Sequence, residues 1–437
     1  MAALLLTSMV WSGHAQEKNE MDLSGEWAFQ TDVMDFRRGS LDVRYCHRLQ
    51  ESIVLPGITD DYKIGYKSPY RHLDRLTRVY EYMGPAWYQR EIEIPAAWKG
   101  KRIFLYFERT HWLSSVYVGK EEVSKIDYIS IPHNHELTQW LHPGKKELIT
   151  FCIDNRYQYD THKWDHAHSE FTQINWNGVL GEIKLVAVDP VYVDDMQVYP
   201  DIKNKSIKVK MTVRNCTEHT ASGKISFHVT GKDYRLQKEV PVTVTDSITY
   251  IEEEMFLGKD IHLWNEFHPN LYTLDCKLTS SVEGQSYAHE KSTTFGMREV
   301  EAGEDRIILN GEPIHLRGTV ENAVFPKTGY APVDDASWER VLRILKEYGM
   351  NHMRFHSWCP PAAAFRMADK LGVYLEVEMP MWGKDAQPDE KRWNFFRREL
   401  RGILKEYGNH PSFILYCNGN EITGDFSFIE ELTATAR

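Results

Sequence analysis

One run in this sequence ends on groups that can do proton chemistry. SFILYCNGNE (412–421) reads as an apolar strand followed directly by an amide, Asn420, and a carboxyl, Glu421. Glycoside cleavage needs such a carboxylic acid to protonate the leaving oxygen, and a second carboxylate across the bond. The neighbouring amide can hydrogen-bond a sugar 2-hydroxyl, a contact that strengthens as the oxocarbenium ion forms. Spacing alone equally permits an ordinary surface Glu at a helix N-terminus. Three other strand-like runs also end on chemically capable groups. The first leads to Glu321, the second to Arg354, His356, Ser357 and Trp358, and the third to Glu376, Glu378 and Trp382.

These groups converge only if their strands run parallel. The pattern after Gly296 predicts that they do. PIHLRGTV (313–320), NHMRFH (351–356), VYLEVEMP (373–380) and SFILYCNGNE read as strands. Between them lie DDASWERVLRILKEYG (334–349), PPAAAFRMADKLG (360–372) and a run from Trp393 to Tyr407. In the first, Trp338, Val341, Leu342, Leu345 and Tyr348 fall on one helical face, with Asp334 or Asp335 as cap and Gly349 as stop. In the third, Trp393, Phe396, Leu400, Ile403 and Leu404 share a face. Strand–helix alternation with short links means a parallel sheet, and a (β/α)8 TIM barrel places catalytic groups at strand C-termini. Such a barrel takes about 250 residues; about 140 follow Gly296, so about four of eight units are expected.

Upstream the period is two. WYQREIEIP (87–95), RIFLYFE (102–108), SSVYVG (114–119) and GEIKLVAV (181–188) predict a jelly-roll β-sandwich over residues 21–189. A polar, aromatic stretch, NRYQYDTHKWDHAHSEFTQINWNG (155–178), is too long for a hairpin; such loops are often functional, and a solvated insertion is the plain alternative. Residues 190–295 carry about seven shorter alternating runs, among them SIKVKMTVRN (206–215) and YTLDCKLTSS (272–281), which predict an immunoglobulin-like sandwich. Residues 296–437 are the parallel unit.

Composition narrows the partner. A formal charge of −11 argues against nucleic acid and anionic membranes and suits a neutral substrate. The 13 Trp, 23 Tyr and 18 Phe agree with sugar stacking, though a large β-rich core needs them too. Ala2 to Trp11 is mostly apolar and Gly13-His14-Ala15 offers a small-residue site, which predicts a signal peptide over residues 1–15 and a periplasmic or extracellular protein. No other apolar run approaches the ~20 residues of a membrane span. Of six cysteines, Cys152, Cys276 and Cys417 sit in strand-like runs and read as buried thiols. The sequence has no CxxC pair and no HExxH helix, so neither a metal site nor any cofactor is expected.

Several stretches together resemble glycoside hydrolase family 2, the β-galactosidases, β-glucuronidases and β-mannosidases. They are LSGEWAF (23–29), WYQREIEIPAAWKGKRIFLYFE (87–108), WNGVLGEIKL (176–185), FGMREVEA (295–302), LNGEPIHLRG (309–318), MRFHSWCPP (353–361), GVYLEVEMP (372–380) and the GNE at 419–421. The likeness covers nearly the whole chain after the leader, in the family's order of jelly roll, immunoglobulin-like domain and barrel. It implies that Glu421 is the acid/base and Asn420 the 2-hydroxyl ligand. Arg354 matches the arginine that helps orient the nucleophile, Glu378 an acidic position on the third strand, and Trp382 either a sugar platform or a core residue. Two departures alter the sugar pocket. Thr319-Val320-Glu321-Asn322 stands where β-galactosidases carry Asn-Arg-His-Glu, and in His356-Ser357-Trp358-Cys359-Pro360 the histidine is shifted by one. The family's nucleophile, a Glu near the end of strand seven, belongs beyond Arg437, so the chain as given is expected to be inactive. The resemblance implies a retaining exo-β-glycosidase acting on an oligo- or polysaccharide, β-galactosidase by default, with no oligomeric state implied. The alternatives are glucuronidase or mannosidase specificity, or a non-catalytic carbohydrate-binding protein.

Overall fold

The computed structural model describes residues 19–35, 48–76, 78–172, 175–383 and 388–437. The leader-like segment 1–15 and Cys46 lie outside the described residues.

The first unit is a pair of antiparallel sheets. One orders Glu20–Asp22, Gly178–Val188, Arg102–Thr110 and His133–Glu136, with Gly57–Ile58 added beside Gly178–Val188. The other orders Glu121–Ile126, Leu113–Val118, Lys146–Asp154, Pro85–Glu93, Gly25–Thr31 and Glu51–Leu55. Alternation does the work: in Arg102–Thr110, Ile103, Leu105 and Phe107 point into the core while the residues between them face outward. Phe151 anchors that core, with Tyr88 stacked at 4.8 Å, Phe107 at 4.8 Å and the edge of Trp27 at 5.0 Å. Each buried aromatic of this kind contributes about 2–3 kcal/mol of apolar burial.

The second unit also packs two sheets. Val191–Asp201, Ser206–Asn215 and Ile248–Phe256 form one; Tyr234–Val244, Ala221–Gly231, Tyr272–Val282 and Gln285–Phe295 form the other. Cys276 is buried between them and Cys152 is buried in the first unit, whereas Cys417 is half-buried and Cys216 exposed.

The last unit alternates strand and helix: β1 (Gly318–Glu321), α1 (Asp335–Glu347), β2 (His352–Phe355), α2 (Ala362–Leu371), β3 (Tyr374–Glu378), α3 (Glu390–Tyr407), β4 (Phe413–Cys417) and α4 (Phe426–Ala436). The strands pair in parallel in the order β1-β2-β3-β4, an open sheet rather than a closed barrel. Asp334 caps α1 by accepting the Ser337 N–H at 2.8 Å, and Gly372, at φ 67°, ends α2 in the left-handed conformation that lacks a Cβ penalty only for glycine. Trp338, Leu342 and Leu345 are buried as the helical spacing requires, but Tyr348 is 79% exposed because α1 has already ended. On α3, Phe395 and Tyr407 join Phe396, Leu400 and Ile403 inside, while Trp393 and Leu404 are only partly covered.

Two sequence expectations shift. PIHLRGTV is not one strand: Glu312–Pro313 pairs in a small antiparallel sheet and β1 begins only at Gly318. The last strand stops at Cys417, so Asn420 and Glu421 stand on a loop beyond it rather than at its final residues.

The first sandwich docks on α3. Trp112 and Ile129 belong to the same apolar core as the parallel unit. Phe395 lies 5.5 Å from Trp112 and stacks on Tyr159 at 4.6 Å. Arg398 pairs with Asp127 at 2.7 Å, and the buried Glu399 carboxyl accepts the Ser130 N–H at 2.6 Å.

Candidate active site

The parallel register brings the C-terminal ends of β2, β3 and β4 side by side, with Arg354 opposite Glu376. Arg354 is the link between them. Its Nε donates to Glu378 Oε1 at 2.6 Å, and a terminal nitrogen donates to Asn420 Oδ1 at 3.1 Å. Glu376 lies 3.5 Å away on the other side. Glu378 is fully buried, and its second oxygen accepts the Ser357 N–H at 2.6 Å. Both oxygens are therefore held by protein donors, and the charge is paired with a guanidinium, the condition under which a buried carboxylate is tolerated.

Glu421 is reached through Trp382, whose Nε1–H donates to Glu421 Oε2 at 2.9 Å. The backbones of Trp382 and Asn420 also bridge in parallel: Asn420 N–H donates to Met381 O at 3.0 Å and Gly383 N–H to Asn420 O at 3.0 Å. Gly419 makes this approach possible. At φ 143° it packs so closely that an added Cβ would overlap the Met381 carbonyl oxygen. Glu421 and Ser357 themselves sit in the left-handed region, at φ 49° and 53°, which costs a non-glycine residue about 1 kcal/mol or more. Glu421 is exposed to solvent.

His356 completes the cluster. Its ring meets Trp382 edge-on at 4.6 Å. Burial pushes its pKa below the usual histidine range, with Glu378 pulling the other way. The sequence-derived residues Arg354, His356, Glu378, Trp382, Asn420 and Glu421 thus form one connected group. Glu321 does not join it. Its carboxylate turns back to accept the N–H groups of Ala323 at 2.8 Å and Val324 at 3.1 Å, and burial raises its pKa to about 7. It shapes the loop after β1.

Glu376, Glu378 and Cys417 hold potential ligand atoms within 4.8 Å of one another. Arg354 already brings a positive charge onto both carboxylates, and burial raises the Glu376 carboxyl and the Cys417 thiol toward their neutral forms. The donor set is balanced by the guanidinium and does not call for a cation.

Two residues without an assigned role emerge from the three-dimensional arrangement. Ser357 holds Glu378 through its N–H, and its Oγ accepts the N–H of His166 at 3.0 Å. His166 comes from the first sandwich, within the 155–178 stretch. Its ring stacks on Trp382 at 5.5 Å and meets His356 edge-on at 4.9 Å. The length and polar, aromatic composition of that stretch were the only signal available for it in the sequence.

Known proteins are similar to this chain in sequence and in fold. The sequence model for glycosyl hydrolases family 2 matches residues 191–298. A β-galactosidase from Thermoanaerobacter pseudethanolicus is 23% identical over 360 residues, covering 82% of this chain and 47% of its own. A β-glucuronidase from Sus scrofa is 21% identical across 98% of this chain and 67% of its own. Among solved structures, Bacteroides uniformis β-glucuronidase 2, covalently bound to cyclophellitol-6-carboxylate aziridine, superimposes with a TM-score of 0.75 at 19% identity over 95% of this chain and 50% of that one. A putative β-galactosidase from Bacteroides fragilis gives a TM-score of 0.77 at 16% identity over 95% and 61%. The chain therefore spans about half the length of several of these relatives. The motifs in family order, the matched middle domain and relatives aligned along nearly all of it agree in their likeness to glycosyl hydrolases family 2.

Proposed function

We propose that this chain supplies the acid/base side of a retaining exo-β-glycosidase. The observation that carries the reading is the linked pair of contacts at the strand ends, Arg354 to Glu378 and Asn420, and Trp382 to Glu421. In this reading the parallel unit (296–437) is the first half of a (β/α)8 barrel. The jelly roll (21–189) and immunoglobulin-like domain (190–295) precede it, and the leader-like residues 1–15 direct export.

Glu421 donates its proton to the glycosidic oxygen as the bond breaks, then takes a proton from the water that opens the glycosyl-enzyme. The indole N–H fixes one carboxyl oxygen and leaves the other for the substrate. Asn420 Oδ1 is held by Arg354, which turns the amide nitrogen toward a sugar hydroxyl. Glu378, buried with both oxygens taken, is a positioning group for Arg354 and Ser357 rather than a nucleophile. By the family resemblance the nucleophile is a Glu near the end of strand seven. β-Galactosides are the default substrate; β-glucuronides are supported equally by the relatives.

The test is Glu421→Gln in the full-length protein. Hydrolysis of natural glycosides should fall by about 10²–10⁴-fold. The first step on aryl glycosides with good leaving groups should suffer less, because those need little protonation. Equal, slight losses on both would remove Glu421 from the role.

A further inference from the structure

We propose that His166, contributed by the first sandwich, is a hydroxyl-binding residue of this site. The proposal rests on the glycosidase reading and names the chemistry that the site takes: a neutral hydroxyl of the bound saccharide.

The residue is built into place. Asp165 accepts the N–H groups of Ala167 at 3.0 Å and His168 at 3.3 Å on one oxygen and the Thr161 hydroxyl at 2.6 Å on the other. Ser357 accepts the His166 N–H, so the loop is tied to the same residue that holds Glu378. The imidazole is 7% exposed, yet neither ring nitrogen has a hydrogen-bond partner among the described residues. Burying an imidazole without partners costs free energy, which a ligand hydroxyl bonded to the ring would recover. The cavity beside it, lined by His166, Ala323, Tyr330 and Trp358 among others, offers about 30 Å³. That is room for about one water or one hydroxyl.

The unpartnered ring suits a hydroxyl. Burial first, then the neighbouring His356, hold the His166 pKa down to about 4. At ordinary pH the ring is therefore neutral, with one donor and one acceptor, the pair a sugar hydroxyl complements. Trp382, stacked beside it, carries the Glu421 contact, so a hydroxyl on His166 lies next to the proton-transfer group.

The hydroxyl can belong to the glycone or to a sugar leaving group. The experiment uses the full-length protein with His166→Phe, which keeps a ring, and His166→Gln, which keeps a donor and an acceptor. The two readouts are kcat/KM on a panel of 4-nitrophenyl β-glycosides and on lactose and cellobiose, and calorimetric affinity for the same disaccharides and for methyl β-galactoside and methyl β-glucoside in a Glu421→Gln background. His166→Phe should lose about tenfold in affinity and kcat/KM, with partial recovery in His166→Gln. Losses on aryl and methyl glycosides as well as disaccharides put the hydroxyl on the glycone; losses on disaccharides alone put it on the leaving group. Unchanged affinity and kcat/KM in a folded His166→Phe overturn the proposal. If His166→Phe does not fold, undiminished affinity in an Ala variant that does fold overturns it equally. Absence of turnover by the unmodified protein would sink the glycosidase reading, and the calorimetric comparison would still decide His166.

Discussion

Arg354 and Glu378 are expected to behave as one unit. Arg354→Met keeps most of the stem and removes the guanidinium. Glu378 then stays fully buried with only the Ser357 N–H on its second oxygen. Removing one partner of a buried ion pair costs about 3–5 kcal/mol. The Arg354 side chain is 30% exposed, so water can reach part of the gap and the lower end applies, about 3 kcal/mol. Glu378→Gln alone weakens a charge-assisted hydrogen bond and should cost about 1–2 kcal/mol. With both changes the unpaired charge is gone, so the double variant should be more stable than the sum predicts by about 2 kcal/mol. Global unfolding of a chain with several units is not two-state, so the measurement is amide hydrogen exchange of peptides spanning β2 and β3. At 1.36 kcal/mol per tenfold, Arg354→Met should speed their exchange by about a hundredfold. Additivity of the two substitutions within about 0.5 kcal/mol would show that the guanidinium does not hold the carboxylate, and the positioning argument would fall with it.

Three further outcomes are expected. Gly419→Ala forces a Cβ against the Met381 carbonyl, so it should cost about 2–4 kcal/mol locally and quench the Trp382–Glu421 contact; unchanged Trp fluorescence and exchange at 413–421 would contradict it. Burial raises the Glu399 carboxyl from 4.5 to about 7, against the hydrogen bonds from Ser130 and Ile129 and the charge of Arg109. Between those values the folded chain keeps a proton that the unfolded chain has released, so this contribution is full below pH 4.5 and is lost as pH rises through 7, about 3 kcal/mol in all. Glu399→Gln should remove that slope. The buried histidines titrate in the opposite sense, so the quantity to follow is the difference between variant and parent in exchange at 127–131, which should favour the variant more at pH 7.5 than at pH 5; a difference independent of pH would refute it. Asp334→Ala, which deletes the cap of α1, should cost about 1 kcal/mol, read as faster exchange in the first turn of that helix.

Much of this site was legible from local sequence because its parts are local. Period-two runs place β strands, a 3.6-residue stripe places α1 and α3, and Asp334 and Gly372 mark where helices begin and end, since each depends on residues within a turn or two. Once strands and helices alternate, the ends that carry Arg354, Glu378, Asn420 and Glu421 must share one side of the sheet. Local pattern does not report what distant segments do when they dock. It did not reveal that the strand would stop at Cys417 and return through Gly419 to lie against Trp382, because that path depends on the Met381 carbonyl, 38 residues earlier. Glu321 was read as one of the groups at the rim, yet its carboxylate finds nearer partners in Ala323 and Val324. His166 lies about 190 residues before Ser357, and only the packing of Trp112, Ile129 and Tyr159 onto α3 carries it to the strand ends. Types and spacing determined which groups could do chemistry; the docking of one apolar face on another decided which of them meet.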